Sequence, residues 1–372
     1  MIRHSYWVAA ILFAALVLAK FSPETGFTSL IRFGETWQDR RLSALAGLPL
    51  ATIRASDGYD GQFYAQLALD PLLRGSELAK CLDAPEYRAH RIFAPALAFM
   101  LGMGHPWWIL QAYALLNVAC WAALASLLYH QTKSGGWIGF ARWAGCMLGM
   151  GTLDSVRQSL VDLPAMLMLF LAVDSATKPQ PNKSSFWLVW GNLAKETNLL
   201  GTFALHAAEL AQKAKFRRAI LGLALAALPV VLWAVYVHQR FRGATAAAGL
   251  GNFTWPLLGL LGELKVCLGE LISGNLDGRF SFGLLAVLGL SVQFAVLWRS
   301  PAPQVAWWRV GAAYSLLLPF LGVWVWSGYW AACRAVLPMT VAFNLLLPAN
   351  RSFWVLWLTG NLTLLHAIWR FL

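Results

Sequence analysis

The chain has 372 residues, 59% of them hydrophobic and only 12% charged, with 20 Trp and a mean hydropathy of +0.57. So little polar surface excludes a soluble domain of this size and describes a polytopic membrane protein. The net charge of +12 does not indicate nucleic acid: Lys and Arg sit in short connections between apolar runs, as a cytoplasmic positive bias requires, not in a patch with stacking aromatics.

In chain order, residues 6–20 read as a first membrane helix; Val17-Leu18-Ala19 is a poor signal-peptidase site. A polar segment follows, residues 21–106, holding nine of the 17 acidic residues: Glu24, Glu35, Asp39, Asp57, Asp60, Asp70, Glu77, Asp83 and Glu86. Within it Gly58 and Gly61 flank Tyr59 and Asp60, a pattern that turns the backbone and holds a carboxylate off a helix face. Gln62 to Leu73 predicts a short helix lying on the membrane surface, ended by Asp70-Pro71. A second such element runs from Tyr87 through Arg88, His90 and Arg91 to Gly104, interfacial or re-entrant because its apolar part is too short to span.

Residues 107–237 carry the core spans: Trp107–Tyr129, Trp137–Leu153, and Leu163–Val173 headed by Asp154, Arg157 and Asp162. Phe186–His206 has Lys195-Glu196-Thr197 at its middle; a charge at a helix centre costs roughly 2.5–3.5 kcal/mol, so two short helices meeting there are cheaper. Ala219–Val237 is the next span. Residues 238–279 form a second polar segment with a surface amphipathic stretch, Leu257–Ile272. Spans at Phe280–Trp298, Val310–Trp326, Ala335–Pro348 and Phe353–Trp369 complete residues 280–372. The expected fold is thus all-α, a single transmembrane bundle of about eleven segments. With the first residues cytoplasmic and the Lys195 break counted as two crossings, the basic connections fall on one side. The Asp60 segment, Asp154, Lys195-Glu196, the His238 segment and Arg334 then share the external face.

The segments YDGQFY, ALDP, YRAHRIFAPALAFMLGMG, DLPAMLMLFLA and LAKET, in this order between Tyr6 and Leu210, resemble multi-span bacterial glycosyltransferases of the GT-C fold class. The resemblance fades after Leu210. It implies a transferase that moves a sugar from a polyprenyl-phosphate carrier to an acceptor on the periplasmic or external side of a bacterial inner membrane, in glycan or glycolipid synthesis. It also implies a carboxylate base in the first external loop, which falls on Asp60 with Asp57 as rival, and a second acid in the next external loop, which falls on Asp154.

Inverting sugar transfer needs a carboxylate to take the acceptor's proton and cations to meet the phosphate leaving group. Asp60 and Asp57 are the candidate bases; the plain alternative is that both only shape turns. Tyr59, Phe63 and Tyr64 suit a sugar face as well as an aromatic belt, with Gln62 among them. Arg88, His90 and Arg91, at an expected helix N-terminus, and Arg157, Lys195 and Arg334 are candidate phosphate contacts, with headgroup anchoring as the alternative. Asp154, Arg157 and Asp162, at spacings of three and five, suit a structural ion pair inside the bundle, and Glu196 a neutraliser of Lys195. A divalent cation between Asp60 and Asp154 stays open, although no HxH or DxD pattern supports it. Five cysteines show neither CxxC nor metal-ligand spacing and read as structural, with a Cys81–Cys267 disulfide left open. A transporter or flippase of lipid-linked glycans and a non-catalytic assembly subunit are the competing classes. Neither internal repeats nor midplane charges favour the transporter.

Overall fold

The computed structural model describes residues 2–178, 180–242, 249–275 and 277–372. Helices make up 73% of it and strands 2%, so the class is all-α as expected. In order these are α1 (Ile2–Leu18), α2 (Gly61–Leu69), α3 (Leu78–Cys81), α4 (Pro85–Ala89), α5 (Phe93–Leu101), α6 (Pro106–Thr132), α7 (Gly136–Met147), α8 (Met150–Arg157), α9 (Asp162–Thr177), α10 (Pro181–Ala194), α11 (Asn198–Leu210), α12 (Phe216–Arg240), α13 (Leu258–Ile272), α14 (Gly278–Arg299), α15 (Ala306–Ser315), α16 (Val323–Ser327), α17 (Tyr329–Ala335), α18 (Leu337–Leu346), α19 (Phe353–Gly360) and α20 (Leu364–Phe371). One parallel pair, β1 (Phe33–Gly34) and β2 (Thr52–Ile53), ties together the segment before α2.

Helix α9 is apolar around its whole circumference and buries twelve of its 16 residues, which makes it a core helix, wrapped by α6, α8, α10, α11 and α15. By contrast α12 buries only Ala219, Ala226 and Val237 and leaves Ile220, Leu221, Leu225, Leu228, Val231, Leu232 and Val235 uncovered. An apolar face of that extent is unstable in water. Three helical stretches are long and apolar enough to cross a membrane: Pro106–Met147, Phe216–Arg240 and Gly278–Arg299. The first doubles back at Gly136 (φ +59°), so that Trp143 donates its indole N–H to the Ala125 carbonyl at 2.9 Å and Trp121 donates to Met147 at 3.0 Å.

Several expected spans are not continuous. Trp137–Leu153 breaks at Leu148-Gly149, between α7 and α8. Val310–Trp326 breaks around Pro319, whose ring nitrogen has no proton to donate. Ala335–Pro348 continues α17 only across a 66° bend, and Phe353–Trp369 breaks at Asn361. The expected Lys195-Glu196-Thr197 break is present, between α10 and α11. The second polar segment is described only in part, because 243–248 and 276 lie outside the described residues; within it α13 occupies the expected amphipathic stretch.

Two further expectations need correction. Helix α2 does not lie on a surface: eight of its nine residues are buried, and it packs on α5 and α6. Gln62 and Gln66, one turn apart, explain this, because each uses its amide to satisfy backbone of the segments on either side of the helix. Gln62 accepts from Gly34 N at 3.0 Å and donates to Asp57 O at 2.6 Å; Gln66 accepts from Leu42 N at 2.9 Å and donates to Cys81 O at 3.2 Å. The element expected from Tyr87 to Gly104 is two helices, α4 and α5, so Arg88 lies in the last turn of a five-residue helix and not at an N-terminus. All five cysteines are buried and free, so Cys81 and Cys267 are unpaired.

Candidate functional site

Asp60 immediately precedes α2, in a turn whose geometry depends on two glycines for different reasons. Gly58 has φ +70°, a conformation that side chains disfavour, and a Cβ there would lie 2.4 Å from the Arg32 carbonyl. Gly61 has an ordinary backbone, but a Cβ on it would lie 2.2 Å from the Gln158 carbonyl, so its smallness lets α2 start against the end of α8.

Around this turn, groups from five separate stretches form one network of ion pairs and tyrosine-bridged hydrogen bonds. Asp60 Oδ1 accepts from Arg88 at 2.8 Å, and Arg88 also holds Asp83 through two bonds of 2.9 and 2.7 Å. Arg91 pairs in bidentate fashion with Glu196 and donates to Tyr64 Oη at 2.8 Å and Tyr87 Oη at 2.6 Å. Lys195 reaches Asp162 at 2.6 Å, and Arg334 donates to the other oxygen of Asp162 at 3.2 Å. Arg334 also donates to Tyr59 Oη at 2.8 Å, where Trp330 Nε1 donates as well, and its Nε stands 3.3 Å from Asp154.

Two expectations about pairing are therefore corrected. Arg157 pairs with neither Asp154 nor Asp162; Gln158 and Arg334 take the first, Lys195 and Arg334 the second. Glu196 neutralises Arg91 and not its neighbour Lys195. In each case the cation or acid that pairs lies 33 to 180 residues away and takes the place of the adjacent one, which adjacency in sequence does not reveal.

A cavity of about 520 Å³ opens on this network. Asp60, Arg91, Asp162, Lys195, Glu196 and Arg334 line it together with Tyr64 and Tyr87, and apart from Thr197 and Asn252 its remaining wall is apolar, with Leu160, Leu199, Leu200, Phe253, Leu317 and Leu321. Of the sequence-derived candidates, Asp60, Tyr64, Arg91, Lys195, Glu196 and Arg334 reach the cavity. Tyr59 and Asp154 stand behind Arg334. Gln62 is a buried backbone clamp, and Arg88 braces Asp60 from outside the lining. Asp57 is exposed and accepts from Thr36 Oγ1 at 2.7 Å, away from the cavity. His90 is half-buried and outside the lining, and burial lowers its pKa below the ordinary imidazole value. Arg157 belongs to a different cluster. A larger groove, about 700 Å³ along α1 and α6, contains no acid and no Lys or Arg among its lining residues.

Electrostatics keeps the acids ionised. Burial pushes the Asp60 carboxyl upward, but Arg88, then Arg334 and Arg91, outweigh it and leave the pKa below the ordinary value. Glu196 behaves alike: burial raises it, Arg91 lowers it more, and it falls to about 2. Burial drives the Tyr64 phenol up to about 12, so it stays neutral and receives hydrogen bonds from the arginines. Asp60 Oδ2 takes no hydrogen bond from the described residues, and Lys195, with one bond made, keeps donors to spare. Arg88 and Arg91 each have all but one of their five N–H groups engaged by their partners. Among the described residues no group of three or more His, Cys, Asp or Glu converges as a metal site, and the arginines claim both Asp60 and Asp154.

Sequence reasoning missed Asp162, Asp83, Tyr87 and Trp330 as parts of this site. Tyr87 carried a signal, standing four residues before Arg91 in the element expected to be one helix, although Arg91 lies beyond the end of α4. Trp330 carried none. Comparison with family models, with curated proteins and with solved structures finds no match to the chain.

Proposed function

We propose that the chain is an integral membrane glycosyltransferase, of GT-C type, that moves a sugar from a polyprenyl-phosphate-linked donor to an acceptor hydroxyl. The observation that carries this reading is the cavity in which an ionised carboxylate, Asp60, shares one space with Lys195 and Arg334 and with an apolar wall. A lipid-linked sugar phosphate and its acceptor together present the three matching chemistries: a hydroxyl on the acceptor that must lose a proton, and on the donor a charged phosphate and a long hydrocarbon.

In the proposed step the acceptor oxygen attacks the anomeric carbon. The bond from that carbon to the phosphate oxygen breaks with its electron pair going to the phosphate, and the acceptor's proton passes to Asp60 Oδ2. Arg88 fixes the other oxygen of Asp60, so the base is oriented and ionised before substrate arrives. Lys195 has the unspent donors to meet the charge developing on the leaving phosphate, and is preferred to Arg88 or Arg91 for that role. Tyr64 and Tyr87 offer hydroxyls and ring faces to the sugar. About eleven membrane segments, a bacterial inner membrane and an outward-facing cavity belong to the same proposal, supported by the one-sided distribution of basic connections.

The test is transfer of radiolabelled sugar from a lipid-linked donor by purified protein in liposomes. Asp60→Asn is expected to lower turnover about 100-fold or more. Unchanged turnover removes Asp60 from the chemistry; movement of the donor across the bilayer without covalent product points to a flippase; neither activity points to an assembly subunit.

A further inference from the structure

On the far side of Arg334 and Tyr59 from the cavity, a second group of cations gathers. Arg370, on α20, lies with its guanidinium 3.8 Å over the Trp330 ring, and its Nη1 is buried with no hydrogen-bond partner among the described residues. Its Nη2 stands 3.8 Å from Asp154 Oδ1, too long for a hydrogen bond. Arg157 ends α8, one turn after Asp154, and the carbonyls of Gln158 and Ile31 both close on Gly61, which brings the Arg157 and Arg32 stretches alongside each other; the charges of Arg32, Arg370 and Asp154 all act on Arg157. Neither the Arg32 nor the Arg157 guanidinium is hydrogen-bonded or ion-paired among the described residues. Both are half-buried. Burial, then Arg32 and Arg370, push Arg157 down to about 10.

Three arginines thus share one acid, and that acid is already engaged by Gln158 at 2.7 Å and by Arg334. Like charges brought together out of full solvent repel, and a chain that folds so leaves a strong local demand for negative charge. Guanidinium groups from three separate segments also match the tetrahedral oxygens of a phosphate better than a single carboxylate. The cluster is mechanically joined to the Asp60 turn: Arg32, held at φ +65°, accepts from Tyr59 N at 3.0 Å through its own carbonyl.

We infer that Arg32, Arg157 and Arg370 form a binding site for a phosphate group, separate from the cavity that Asp60 lines. The phosphate belongs either to a bilayer lipid headgroup or to a water-soluble phosphorylated compound; the chemistry recognised is the same. Occupancy would brace the Tyr59 turn through Arg32 and the Trp330 face through Arg370. This assignment does not depend on the transferase reading.

The experiment uses the purified full chain in detergent, with thermal unfolding followed in inorganic pyrophosphate against chloride at equal ionic strength, and with native mass spectrometry after reconstitution in phosphatidylglycerol or in phosphatidylcholine alone. The expected result is a saturable rise in melting temperature with pyrophosphate, or retained phosphatidylglycerol, or both. The first alone identifies a soluble phosphate, the second alone a headgroup. Arg32→Gln and Arg157→Gln each weaken the response about tenfold or more. Arg32→Lys, which keeps the charge, retains part of it, and Asp60→Asn leaves it unchanged. No response in the unsubstituted protein, or an undiminished response in both Gln variants, overturns the site.

Discussion

Arg88 shows how one side chain sets the state of another. It is 8% exposed and bound to Asp60 and Asp83 at once, with its guanidinium 5.3 and 5.4 Å from the Phe63 and Tyr64 ring centres. Replacing it by Met keeps much of the volume but leaves Asp60 and Asp83, each with a side chain 32% exposed, without their cation. Losing charged hydrogen bonds of this kind costs about 1.5–3 kcal/mol. Arg88→Met is therefore expected to lower the melting temperature in detergent sharply and to raise the Asp60 pKa, moving the acid limb of the activity profile to higher pH. Asp57→Asn, at an exposed residue hydrogen-bonded to Thr36, is expected to leave turnover within about twofold and stability within about 0.5 kcal/mol in the same assays.

At the scale of elements, the site depends on how closely α2 meets α8. The Gly61 Cα stands where any side chain would press on the Gln158 carbonyl, a backbone atom that cannot rotate away. Gly61→Ala is expected to destabilise by about 1–3 kcal/mol through overpacking and to lower turnover, since the displacement falls next to Asp60. Melting temperature and transfer rate measured on the same preparation check both. The break between α10 and α11 is the complementary case. Three residues leave the helix so that Lys195 and Glu196 project into the cavity, and Asn198 restores continuity by donating to Ala165 O at 2.9 Å and Gly191 O at 3.1 Å.

Across the whole molecule, the network is a set of long-range fasteners: Arg91 and Glu196 are 105 residues apart, and Arg334 and Asp162 are 172 apart. Their acids have depressed pKa values, so their contribution is complete above the ordinary carboxyl range and is lost as pH falls through the folded value. For Glu196 the window runs from its ordinary 4.5 down to about 2. Stability is expected to rise with pH across that window, because the unfolded chain holds the proton to higher pH. Glu196→Gln should flatten the melting temperature against pH there and lower its plateau above it. An unchanged slope in the variant removes the Arg91–Glu196 pair from the acid response.

Much of this was legible in the residues themselves. Hydropathy determines that the chain is helical and largely apolar, since twenty or so uncharged residues have few other ways to satisfy their backbone. The insertion cost of Lys195-Glu196 likewise dictates a helix break, and the glycines around Asp60 dictate a turn. All of these are local energies, set by a residue and its near neighbours. Which acid meets which cation was decided only in three dimensions. Asp154 has Arg157 one turn away yet faces Arg334, and Lys195 adjoins Glu196 yet reaches Asp162, because burial rewards the pairing that removes the most charge from an apolar interior, whatever the distance along the chain. The inward placement of α2 was decided in the same way, by backbone groups of a distant segment that needed the amides of Gln62 and Gln66.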